Sequence, residues 1–203
     1  RAGPRVRECA AAVILRPLFF WGVPNADAPP RMNVFLVGPM GSGKSAVGRQ
    51  LAQRLALEFI DSDAEIEART GVDIAYIFER EGEAGFRSRE AEVIDALSRR
   101  DRVLVSTGGG AILDASTRER LRARGRVVYL RTSVDQQLAR TRRSNDRPLL
   151  NNDDPRGTLE RLFEQRAPLY TEVAEFVVDT DGRKVKAVVD QICQRLGVGG
   201  LEP

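Results

Sequence analysis

From residue 33 onward, short apolar runs alternate with longer amphipathic stretches. The runs 33–37, 58–60, 102–106, 126–131 and 175–179 are brief and rich in Val, Ile, Leu and Phe, which reads as buried strands. Apolar positions recur at helical spacing over 43–56, 62–70, 72–81, 84–99, 115–124, 133–142, 156–170 and 183–196. Strands separated by helices predict βαβ units, and hence an α/β domain with a parallel sheet covered on both faces. Binding groups in such a domain collect beyond the carboxyl ends of the strands. The stretch RRSNDRPLLNNDDPRG, 142–157, is polar, holds two prolines and lies between helices. It reads either as a mobile lid or as a plain surface connection.

The first strand exit carries the sharpest pattern. GPMGSGKSA, 38–46, contains G-x-x-x-x-G-K-S between a strand and a helix, the context a phosphate-binding P-loop requires. Its glycines let successive N–H groups converge on an anion, and the following helix adds its positive end. Lys44 supplies a point charge for the outer phosphates, and the Ser45 hydroxyl suits Mg²⁺. Gly41-x-Gly43-x-x-Ala46 also fits a dinucleotide fingerprint, with Asp61 and Asp63 about 20 residues on, but that reading leaves Gly38, Lys44 and Ser45 without a role.

Other strand exits carry charge or glycine. Asp61-Ser62-Asp63 follows the second run. One carboxylate could reach a phosphate-bound metal through water and the other a substrate hydroxyl, or both could serve only as helix caps. Gly108-Gly109-Gly110 follows the third run and marks either close approach of a ligand to the backbone or a flexible turn. Arginine forks suit carboxylates and phosphates. With 32 Lys and Arg in the chain, however, spacing alone does not single out Arg87, Arg147 and Arg166, nor Arg140 and Arg183 as groups that stack on a base.

Composition narrows the classes. The 203 residues are 42% hydrophobic and 30% charged, enough for one ordinary folded domain. Of the net charge of +3, residues 1–30 contribute +2, from Arg1, Arg5, Arg7 and Arg16 against Glu8 and Asp27. The remainder is near neutral and gives no argument for nucleic acid. Histidine is absent, so proton transfer falls to carboxylates, lysine, tyrosine or water. Cys9 and Cys193 lack metal or redox spacing, which fits a reducing compartment. No apolar run reaches the length of a membrane span. The Arg-, Ala- and Pro-rich stretch 1–31 reads either as a non-native, disordered extension upstream of a natural start at Met32, the favoured reading, or as an Arg-rich organellar transit segment, and its loss is expected to leave activity intact.

Taken together, NVFLVGPMGSGKSAVGRQLA, EFIDSD, GFR, TGGG, RPLL and R-x-P-L-Y occur in an order and spacing that resemble the shikimate kinase family over about 33–196. The P-loop alone is shared by many kinases; its combination with the other motifs is far more specific. The resemblance implies a three-layer P-loop kinase fold, related to the nucleoside monophosphate kinases, with a five-stranded parallel sheet and a mobile lid. The domain would span 32–198, the lid 142–157 and a tail 199–203. It implies Mg²⁺–ATP-dependent phosphorylation of the 3-hydroxyl of shikimate, in chorismate and aromatic amino-acid synthesis, by a cytoplasmic monomer with no nucleic-acid or membrane partner.

By matching motif, the resemblance places Gly41, Ser42, Gly43, Lys44, Ser45 and Ala46 around the ATP phosphates, with Ser45 on Mg²⁺ and Asp61 reaching the metal through water. It assigns Asp63, Arg87, Gly109, Gly110 and Arg166 to shikimate, Arg147 to the lid and the phosphates, and Arg140 and Arg183 to the neighbourhood of adenine. Lys44, Asp63 and Arg147 are then the catalytic set. Ala46 departs from the threonine usual in the family. Rival readings are another small-molecule kinase such as a sugar-acid kinase, a GTP-binding switch, for which a guanine-reading N-K-x-D element is missing, and a non-catalytic nucleotide-binding copy.

Overall fold

The computed structural model describes residues 32–141 and 154–198. The expected extension 1–31, residues 142–153 of the expected lid with Arg147, Cys9 and the tail 199–203 lie outside the described residues. Five strands, β1 (Val34–Val37), β2 (Glu58–Asp61), β3 (Val103–Ser106), β4 (Arg126–Arg131) and β5 (Phe176–Asp179), form one sheet in the order β2-β3-β1-β4-β5. Every pairing is parallel; Leu36, for example, stands beside Ser106 of β3 and Val128 of β4.

Both faces of this sheet are covered, which is why the strands are apolar runs rather than alternating patterns. Phe35, Val37, Val105, Val127 and Tyr129 point into one core with Ile77, Phe86, Ile94, Leu121 and Tyr170. That core draws on helices α2 (Ser62–Thr70), α3 (Ile74–Ser98), α4 (Ala115–Arg124) and α6 (Pro155–Val173). Val34, Leu36, Leu104, Val128 and Leu130 point to the other face, against α1 (Lys44–Leu55) and α7 (Val185–Leu196). Gly48 lets α1 lie close on the sheet, since an added Cβ would come 2.5 Å from the Phe59 ring. Cys193 is buried in this second core. Helix α5 (Val134–Thr141) packs beside α6.

Two boundaries differ from expectation for physical reasons. The helices expected over 72–81 and 84–99 join as α3, bent at Gly82, whose backbone (φ 70°, ψ −176°) a side chain would oppose. Residues 154–157 do not extend the polar connection: Asp154 accepts from the Gly157 amide at 2.9 Å and caps α6, with Pro155 at its first turn. A short 3-10 turn, Ala111–Leu113, follows β3 and was not legible as an element. Among the described residues no helix is long and apolar enough to cross a membrane.

The chain leaves β1 through α1 on one face of the sheet and leaves β3 through α4 on the other. A crevice must therefore open between the carboxyl ends of these adjacent strands. The P-loop and the glycine triplet are its two walls.

Candidate active site

The first wall is the loop between β1 and α1. Gly41 (φ 74°) and Gly43 (φ 89°) adopt left-handed angles that turn the loop back on itself. Helix α1 has no side-chain cap at Gly43, so its first-turn N–H groups stay available to an anion. Lys44 Nζ donates to the carbonyls of Gly38 and Pro39 at 2.8 Å each, folded over the loop it would leave to meet a phosphate. Ser42 is buried, and its hydroxyl faces inward toward Lys44.

The exit of β2 gives its two carboxylates different partners. Asp61 Oδ1 accepts from the Asp63 amide at 3.2 Å, capping α2, while Oδ2 accepts from Ser45 Oγ at 2.8 Å. Capping and contact with the P-loop serine are thus done by one side chain. Among the described residues no group of three or more His, Cys, Asp or Glu could hold a metal ion. The Ser45–Asp61 pair offers hard oxygen donors instead, which suits Mg²⁺ that takes its other ligands from phosphate and water. Between the aspartates, Ser62 is fully buried and accepts from the Gly108 amide at 2.9 Å, tying the β2 exit to the β3 exit.

The far end of the crevice is built from arginines and buried acids. Arg87 Nη1 donates to Glu90 Oε2 at 2.6 Å, and Glu90 is only 2% exposed. The other Glu90 oxygen has no hydrogen-bond partner among the described residues. It lies so close to the backbone that a Cβ on Gly108 would come within 2.2 Å of it and within 2.8 Å of Asp63 Oδ1. A Cβ on Gly110 would meet the Arg87 guanidinium at 2.2 Å. Arg166, 5% exposed, reaches this end from α6, and its Nε has no partner among the described residues. A buried cation of this kind is stable only when an anion faces it. Burial, with Asp61 nearby, pushes the Asp63 carboxyl above its usual range, while Lys44 and Arg87 pull it back. Burial likewise raises Glu90 against the opposing pull of Arg87.

These groups share one cleft of about 750 Å³. Gly41, Gly43, Lys44, Ser45, Ala46, Asp61, Asp63, Arg87, Gly109, Gly110, Arg140 and Arg166 all line it. Arg140 donates to the Gly41 carbonyl at 2.8 Å and to the Thr180 carbonyl at 3.1 Å, pinning the P-loop to the end of β5. Arg183 is the exception among the described candidates: it turns back onto α7, donating to Gln191 and to the Ala187 carbonyl, and does not line the cleft. Sequence reasoning missed Glu90, Ile74 and Phe78, which also line it, as do Gly108 of the glycine triplet and Phe86 of the GFR run. Glu90 follows Arg87 by three residues, the spacing of a helical ion pair. That was the one signal available, and many surface pairs share it.

A family model described as shikimate kinase matches residues 40–197. A shikimate kinase of Alteromonas mediterranea is 54% identical over 168 residues, covering 83% of this chain and 98% of its own. One of Shewanella amazonensis is 55% identical over 167 residues, covering 82% and 98%. Among solved structures, shikimate kinase from Acinetobacter baumannii in complex with shikimate superposes with a TM-score of 0.81 at 47% identity, covering 85% of this chain and 97% of that one. A deoxyadenosine kinase from M. mycoides, at 14% identity and a TM-score of 0.54, shares the fold. By sequence and by architecture, the chain belongs to the shikimate kinase family.

Proposed function

We propose that the P-loop end of the cleft and its arginine-lined end act as the two halves of one phosphoryl-transfer site. As a member of its family, the chain is an ATP-dependent, Mg²⁺-using kinase that converts shikimate and ATP to shikimate 3-phosphate and ADP. The single observation that carries the site assignment is the shared cleft of Lys44 and Ser45 with Asp63, Arg87 and Arg166.

Shikimate has one carboxylate and three hydroxyls, so its site needs fixed cations at one end and a hydroxyl acceptor at the other. Arg87, held by Glu90, and Arg166 clamp the carboxylate. Asp63 accepts from the reacting hydroxyl and orients it; the proton can pass to Asp63 as the bond to phosphorus forms. The 108–110 backbone closes over the same hydroxylated ring. Lys44 leaves the Gly38 and Pro39 carbonyls for the outer phosphates, and Arg147 of the lid offsets charge on the transferring group. Mg²⁺ held by Ser45, with Asp61 reaching it through water, would neutralise phosphate oxygens. Such transfer is mostly positioning and charge stabilisation, so it needs no histidine. Closure of the lid, now 142–153, would exclude water.

The same reading makes 32–198 the functional domain, acting as a monomer in the cytoplasm without nucleic acid or membrane, with 1–31 dispensable. Arg140 holds the loop under the nucleotide, and Arg183 would have to leave α7 to reach adenine. Labelled ATP offered with shikimate, gluconate and other hydroxy acids tests the assignment: label should pass to shikimate alone. Comparable transfer to gluconate would favour a sugar-acid kinase.

A further inference from the structure

Two stacked tyrosines lie beneath the arginine end of the cleft. The rings of Tyr129 and Tyr170 are 4.9 Å apart between centroids and 26° from parallel, and both are 1% exposed. Their hydroxyls differ. Tyr129 Oη is buried and has no hydrogen-bond partner among the described residues. Tyr170 Oη donates to the carbonyl of Gly109 at 2.5 Å, across 61 residues of chain. Tyr170 also sits one helical turn beyond Arg166 on α6, so both side chains project from the same face. A Cβ on Gly109 would lie 3.6 Å from Tyr170 Oη and 3.7 Å from Arg166 Nη1, which places the hydroxyl, the guanidinium and the glycine backbone in one cluster.

We propose that Tyr170 is a positioning residue for the acid-binding end of the cleft, its hydroxyl anchoring the Gly109 carbonyl so that the 108–110 backbone and Arg166 keep a fixed mutual geometry. The inference rests on the site reading above. The triplet has no side chains of its own to hold it. The Gly108 end is anchored by Ser62, and the Gly110 carbonyl accepts from the Leu113 amide at 2.9 Å. Gly109 sits between these anchors, and the tyrosine is its tie to the helix that carries Arg166. Burial pushes the Tyr170 phenol well above its ordinary range, with the neighbouring Arg166 charge pulling the other way, so the hydroxyl stays protonated and remains a donor wherever the enzyme works.

Tyr170→Phe removes the hydroxyl and keeps the stacked ring. Loss of a buried hydrogen bond with its acceptor left unpaired corresponds to roughly a ten-fold effect. Steady-state kinetics of the full chain should show KM for shikimate rising about ten-fold or more, with KM for ATP within two-fold of the parent. Tyr129→Phe, which removes the unpartnered hydroxyl from the same stack, should change neither. Hydrogen exchange of the 108–110 amides should accelerate in Tyr170→Phe and not in Tyr129→Phe. Unchanged KM for shikimate in Tyr170→Phe would overturn the proposal, as would equal shifts in both KM values or equal effects of the two variants. Failure of the site reading looks different: shikimate would then not protect the 108–110 amides even in the parent chain.

Discussion

Gly108→Ala adds one methyl group to the cleft and nothing else. Gly108 does not have a left-handed φ, so alanine fits its backbone without strain. The new Cβ would nonetheless stand 2.2 Å from Glu90 Oε1 and 2.8 Å from Asp63 Oδ1. To restore ordinary contact near 3.4 Å, the Glu90 oxygen must retreat by about 1.2 Å and the Asp63 oxygen by about 0.6 Å. Glu90 cannot move alone, because Arg87 is bonded to its other oxygen at 2.6 Å. Both ends of the acid-binding site therefore shift together. Misplacement by about 1 Å costs on the order of 100-fold in rate, or about 2.7 kcal/mol of transition-state stabilisation. A coupled assay of ADP release should show kcat/KM for shikimate reduced by that order while KM for ATP stays near the parent value. A melting curve in parallel checks that the fold survives. A folded Gly108→Ala enzyme within three-fold of the parent would refute the packing argument.

Asp63→Asn should bind ATP normally in a nucleotide titration yet lose transfer; equal loss of both would move Asp63 into nucleotide binding. Ser45→Ala removes the donor to Asp61 Oδ2 and should raise the Mg²⁺ concentration needed for half-maximal rate, with little change at saturating shikimate binding; an unchanged Mg²⁺ dependence would count against the pair as the metal site. Arg147→Ala should lower kcat by ~100-fold, comparable with loss of one electrostatic donor, and near-normal turnover would remove Arg147 from the lid role. Asp114 caps α4 through the Thr117 amide at 2.7 Å, so Asp114→Ala should cost about 1 kcal/mol, a fall of roughly 2–4 °C in Tm. Hydrogen bonds from Ser116 first, and from Thr117, hold the Asp114 carboxyl below its ordinary range. That stabilisation is present above about pH 4 and fades as pH falls. The gap in Tm between parent and variant should accordingly narrow in acid, and a gap that widened would reverse the sign of the argument.

The strands were legible because parallel strands buried on both faces leave unbroken apolar runs such as Val34-Phe35-Leu36-Val37. The P-loop was legible because its chemistry is local: eight adjacent residues make the whole anion cradle. What lay beyond reach was long-range. Nothing near Gly108 in the chain announces that Glu90, 18 residues earlier on another element, will press against it. Arg87 and Arg166 stood out from 32 Lys and Arg through family resemblance, not spacing, since their meaning comes from α3 and α6 meeting at one end of a crevice. Asp61 left two readings open because a cap and a carboxylate facing the phosphates use the same side chain; in the fold Oδ1 caps α2 while Oδ2 accepts from the P-loop Ser45. Arg183 shows the opposite limit: it precedes α7 in the chain, and its guanidinium lies along that helix, outside the cleft.

A crystal structure of the chain with shikimate, ADP and Mg²⁺ tests the central claim most directly. The shikimate carboxylate should lie between Arg87 and Arg166, with its 3-hydroxyl within hydrogen-bond reach of Asp63 and facing the nucleotide over Lys44. Shikimate bound elsewhere, or seated with its carboxylate toward Lys44 and its hydroxyls toward the arginines, would contradict it.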